Sequence, residues 1–136
     1  MAKTFTAPFA QTPKTATAVA TAAATLTDTP SNTVLLMTAG ADGCIVTGLT
    51  AIPRATVTAS SLVLFISKDS GSTQRLIDSE LMSAYTMATT TAIPETVFSR
   101  ISESSPLRLE AGDRLYVGSQ VALAGGIVFK AEYTDF

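Results

Sequence analysis

The sequence contains no histidine and no tryptophan, and its single cysteine is Cys44. Without an imidazole, neither a Ser-His-Asp nor a Cys-His nucleophile system can be assembled, and histidine-bearing zinc sites are excluded. One thiol closes no intramolecular disulfide and builds no thiolate cluster. Charge is scarce as well: 15% of residues are charged, against roughly 25% in an average chain. Nine lysines and arginines against eleven carboxylates leave a net charge of −2, which provides no basic footprint for nucleic acid. No segment approaches the ~18 strongly apolar residues of a membrane span. The most apolar stretch near the start, residues 16–24, is interleaved with threonine, whereas a secretory signal has a continuous apolar centre. These absences lead us to expect a non-enzymatic protein made in a cytoplasm, with no cofactor, no metal, no nucleic acid and no membrane among its partners.

What the sequence does contain is small and apolar. Its 136 residues suffice for one domain with a real core. Hydrophobic residues make up 46% of the chain, which argues against intrinsic disorder. Threonine (22 residues) and alanine (21 residues) take the place that charged residues usually hold. Residues 1–14 contain Pro8 and Pro13, which forbid a regular helix, together with Phe5 and Phe9. They read as an extended arm. In residues 15–27 threonine alternates with alanine, valine and leucine, the period of a strand with one small apolar face. A turn cluster, Asp28-Thr-Pro-Ser-Asn32, follows. The expected division is an extended N-terminal arm over residues 1–30 and a β-sandwich domain over 31–136.

From Thr33 onward, short apolar or alternating runs at 33–39, 44–51, 61–68, 107–109, 113–118 and 127–134 are separated by glycine, proline and aspartate turn signals. Residues 73–88 read as two strands meeting near Asp78 and Ser79, with a helical turn capped by Ser72 as the alternative. Residues 90–106 show no alternation, and Val97, Phe98 and Ile101 are expected to anchor them to the core through one helical turn. Turn signals roughly every ten residues give about eight strands and an all-β fold. Eight strands in two sheets is the jelly-roll count, although spacing alone leaves an immunoglobulin-like sandwich open.

Two passages carry a resemblance. SLVLFISKDSGSTQRLIDSELMSA and PLRLEAGDRLYVGSQVALAGGIVFKAEYTDF are similar to small proteins encoded among the structural genes of tailed bacteriophages. The second also resembles the penultimate strand pair of trimeric jelly rolls of the tumour-necrosis-factor and complement type. The likeness spans residues 33–136, rests on strand pattern and turn chemistry, and includes no catalytic signature. It implies an eight-stranded jelly-roll-like sandwich, assembled as a homotrimer, that serves as a structural virion protein. The role implied is a capsid decoration (cement) protein that bridges and stabilises major capsid subunits. Its partners would be the major capsid protein or another virion protein, and its location the virion after synthesis in the host cytoplasm. The alternative is a head- or tail-fibre module that binds a host surface glycan.

The candidate contact residues are those of the arm: Phe5, Pro8, Phe9 and Pro13. They are apolar or rigid and cannot bury themselves in a helix, so they are expected to lie on a partner or a sister subunit. Other candidates have plainer readings. A glycosidase needs two carboxyls about 5–9 Å apart with split pKa values. Glu110 and Asp113 read instead as a hairpin turn, and Asp78 and Glu80 as solvated strand residues. The loops at Asp42-Gly43 and Asp69–Ser72 hold one carboxylate each, too few for calcium. Gly40, Gly43 and Gly48 fit no phosphate-binding spacing. Cys44 reads as a buried inert thiol, with an intersubunit disulfide as the alternative. Tyr85, Tyr116 and Tyr133 with Arg75, Arg108 and Arg114 either form a receptor- or glycan-binding surface or fill sheet faces.

Overall fold

The computed structural model describes residues 12–136. Every regular element there is a strand: β1 (Thr12–Ala20), β2 (Val34–Thr38), β3 (Cys44–Pro53), β4 (Ser60–Ser67), β5 (Arg75–Met82), β6 (Thr96–Val97), β7 (Leu107–Leu109), β8 (Arg114–Ser119) and β9 (Ile127–Asp135). They form two antiparallel sheets. The first runs β1-β9-β3-β6, with β7 also on β3, and the second runs β2-β8-β4-β5. β6 meets β3 at Thr50 and Ala51, and β7 meets it at Cys44–Val46. The two short strands therefore lie in line along one edge. The result is an all-β sandwich.

Period-2 patterning explains the layers. Ala18 and Ala20 of β1 turn inward and pair across to Phe129 and Ile127 of β9. Their small side chains leave room for Phe129, which is fully buried with its ring centroid 6.5 Å from that of Phe98. Leu49 and Ala131 from the first sheet and Leu62, Leu64 and Leu115 from the second complete one contiguous core. β4 is buried on both faces, because Val63 and Phe65 are covered from outside by residues 21–33. This strap crosses from β1 to β2. Ala24 N donates to Ser119 O at 2.8 Å, Gln74 N donates to Asp28 O at 2.8 Å, and Arg75 pairs with the Asp28 carboxylate at 2.9 Å. Gly118 admits the strap, since a Cβ there would stand 2.9 Å from Ala24 Cβ.

Six expected strands are present within two residues of their expected bounds. Three regions differ. The strand read over 15–27 starts at Thr12, pairs continuously with β9 and stops at Ala20, where the strap begins. The described part of the segment read as an arm is thus extended but built into the domain, and a cut at residue 30 would remove a strand and the strap. Pro13 is exposed on β1 opposite Thr134. Phe5, Pro8 and Phe9 lie outside the described residues.

The break expected at Asp78 and Ser79 is absent, because β5 runs through it. Leu64 pairs with Asp78 and Phe65 with Leu76, so Ile77 is the extra residue of a β-bulge. Residues 90–106 contain β6 and two separate turns, closed by Ile101 N to Phe98 O at 3.1 Å and Ser105 N to Ser102 O at 3.2 Å, in place of the expected helical turn. Phe98 and Ile101 are buried anchors as expected, whereas Val97 is 49% exposed.

Candidate functional site

The two flanks of the sandwich are unlike. On one, the edge strands β1 and β2 pack together; on the other, β5 ends the second sheet and faces β6 and the segment leading to β7. Among the described residues β5 pairs only with β4, so its outer edge keeps main-chain groups that no strand pairs, although Ser79 N is taken by the Asp78 carboxylate. The bulge at Ile77 shifts the alternation, which exposes Leu76, Ile77 and Leu81 (the last at 67%) and turns Asp78 inward.

Two grooves follow this seam. The first, about 250 Å³, opens beside Ile77 and Asp78 and is walled by Leu64, Ile66, Ile101 and Leu107. The second, about 230 Å³, opens beside Leu81 and Met82 and is walled by Pro53 and Val97, with Glu80 and Glu95 at its sides. In the wall of the first groove Arg100 Nη1 donates to Asp78 Oδ1 at 2.8 Å, and Ser79 N donates to the same oxygen at 2.8 Å. Asp78 Oδ2 is buried without a hydrogen-bond partner. Asp78 is therefore no solvated strand residue: the bulge gives it a core-facing position. Asp78 and Glu80 line different grooves, so they do not converge on one cavity.

The remaining candidates are accounted for by local structure. Glu110 and Asp113 form a hairpin turn: Glu110 N donates to Asp113 Oδ2 at 2.9 Å, and Lys68 Nζ lies 2.8 Å from the same oxygen. That hydrogen bond to Asp113 raises the Lys68 pKa. Asp69 folds its own loop, accepting from Thr73 N at 2.8 Å and Ser67 Oγ at 2.9 Å. These donors, Thr73 N first, hold its carboxyl below the usual range. Cys44 is fully buried, and burial, reinforced by Asp135 and Asp113, pushes its thiol up to about 12. The interior is no place for an intersubunit disulfide. Among the described residues no three His, Cys, Asp or Glu side chains gather as metal ligands.

The tyrosines are dispersed. Tyr116 belongs to the outer-face cluster under the strap, Tyr133 to β9 of the other sheet, and the Tyr85 hydroxyl lies 2.9 Å from Thr91 Oγ1. Arg75 is engaged by Asp28, and Arg114 Nη1 donates to Ser70 O at 3.3 Å. The exposed apolar edge of β5 is hidden in the sequence because regular alternation puts Leu76 and Leu81, five residues apart, on opposite faces, so one of them is assigned to the core. The signal was present in the adjacent pair Leu76-Ile77, which cannot both face one side of a regular strand. Comparison with protein-family models, with curated proteins and with solved structures found no match.

Proposed function

We propose that this chain is a structural virion protein, a capsid decoration protein that binds the assembled shell and bridges neighbouring major-capsid subunits. The observation that carries the reading is the unpaired apolar edge of β5. Leu76, Ile77 and Leu81 stand exposed there, with Ile93 and Val97 exposed on the segment across the seam. A sheet edge with exposed apolar side chains promotes association unless a partner covers it. The strong chemistry of an active site is not what the flank offers; it offers area and main-chain hydrogen bonds. A partner that presents the complementary surface only when assembled would be stabilised by mass action.

The strand order supports reading the sandwich as a jelly roll. Strand pairs nest as β1–β9, β2–β8, β3–β6/β7 and β4–β5, as in a long hairpin rolled upon itself. With β6 and β7 counted as one interrupted strand, each sheet has four, the jelly-roll number. A homotrimer is part of the same proposal. The dispersal of the tyrosines gives the fibre-module alternative no comparable aromatic surface.

The test is co-sedimentation of the full chain with undecorated shells, beside the variant Leu81→Lys/Val97→Lys. Binding by the natural chain and loss in the variant, at unchanged melting temperature of the free protein, supports the reading. No binding by the natural chain, or equal binding by both, overturns it.

A further inference from the structure

Residues 1–11, MAKTFTAPFAQ, carry one charge, Lys3, and two aromatic side chains, Phe5 and Phe9, four positions apart. They lead into β1, the edge strand of the flank that β1 and β2 close together. The β5 seam is the opposite flank, about three strand spacings of ~4.8 Å away. The segment thus enters its own domain on the side remote from its own seam.

The seam suits such a segment in three respects. The first is spacing. The grooves open beside Ile77 and Asp78 and beside Leu81 and Met82, four residues apart along β5. In an extended strand residues four apart share a face and lie ~13 Å from one another, which is the relation of Phe5 to Phe9. The second is the backbone. Pairing through the main-chain groups of Phe5, Ala7 and Phe9 turns Pro8, which has no N–H, to the outside, where an edge strand tolerates proline. The third is charge. Glu80 and Glu95 flank the second groove and have no ion-pair partner among the described residues, and Lys3 brings the opposite sign.

We infer that residues 1–11 of one copy add as an antiparallel strand along β5 of a second copy, with Phe9 in the groove beside Ile77 and Phe5 in the groove beside Leu81. Strand addition takes affinity from main-chain hydrogen bonds and specificity from the pockets. The contact joins opposite flanks, so it is heterologous, and repetition closes a ring when the rotation permits. The inference rests on the proposed reading of the chain as a self-assembling structural protein. It names what the arm residues Phe5, Pro8 and Phe9 touch.

Two full-length variants, Phe9→Cys and Ile77→Cys, are mixed under mild oxidation. Cys44 stays silent because it is fully buried. A disulfide-linked pair containing one chain of each variant is expected, formed at least tenfold more than with Val121→Cys, an exposed control on a different loop. The absence of that excess overturns the inference. A double variant Phe9→Cys/Ile77→Cys that closes its bond within one chain also overturns it, since the arm would then serve its own seam. Shell co-sedimentation of Phe5→Ser/Phe9→Ser separates the two claims. Cross-linking without shell binding by the natural chain keeps the docking and removes the virion reading; shell binding without cross-linking does the reverse.

Discussion

Arg100 Nη1 donates to Asp78 Oδ1 at 2.8 Å, and this pair clasps β5 to the segment that returns from β6 to β7. Its two halves are unequally placed: the Asp78 side chain is 5% exposed and that of Arg100 74%. A buried carboxylate that loses its partner keeps its desolvation cost, while the lost arginine was largely in water already. Arg100→Leu should therefore lower stability by about 2 kcal/mol, below the 3–5 of a fully buried pair. Adding Asp78→Asn should recover part of that loss, because an uncharged amide costs less to bury. Urea denaturation measures both, and a double variant no more stable than Arg100→Leu contradicts the account.

Phe98 is the apolar counterpart of this clasp. It is fully buried against Phe129, and its N–H donates to Leu49 O at 3.0 Å. Phe98→Ala should cost about 3–4 kcal/mol. Amide exchange in residues 94–107 should accelerate more than in β8, which lies in the other sheet. Uniform acceleration would mean that the segment is held by other contacts.

Strands whose residues alternate cleanly, such as Ile127–Asp135, were legible from the sequence because one face is simply buried and the other is not. The bulge at Ile77 was not, since one inserted residue reverses the facing of everything after it. That reversal hid both the buried Asp78 and the exposed Leu81, and with them the candidate site. The strap was hidden for another reason. Residues 21–33 pack on the outer face of a sheet through Ala24, and an alanine in an alanine-rich run carries no pattern to mark it. Pro13 belongs to β1, which the sequence does not reveal, because strand pairing with β9 depends on a partner more than 110 residues away.

Gly118→Ala tests the strap. The new methyl group would meet Ala24 Cβ at 2.9 Å, so strap or strand must shift, at about 1–3 kcal/mol. Gly118→Ala/Ala24→Gly should restore most of the loss. Thermal unfolding decides, and failure of the rescue would place the strain elsewhere.

Part of the alkaline stability follows from two ion pairs, beside the buried Cys44 thiol, whose raised pKa also makes stability fall as pH rises. Lys14 Nζ lies 2.7 Å from Asp135, and Lys68 Nζ lies 2.8 Å from Asp113. The hydrogen bonds raise both ammonium pKa values above the ordinary 10.5. A raised folded-state pKa contributes stability that is complete below the unfolded value and lost as pH rises through the folded one. The melting temperature should thus fall as pH passes 10.5, and Lys14→Met/Lys68→Met should flatten that fall. An unchanged alkaline limb would contradict the assignment. Asp69 acts at the other end. Its lowered pKa contributes stability above pH 3.8 that is lost as pH falls through the folded value, so Asp69→Asn should flatten the acid limb.

The most direct test of the central claim is the melting temperature of undecorated shells titrated with the full chain. The account predicts a saturable rise with the natural protein and none with Leu81→Lys/Val97→Lys, whose substituted side chains stand on the exposed seam. A shell melting temperature unmoved by a saturating excess of the natural chain would contradict the decoration role.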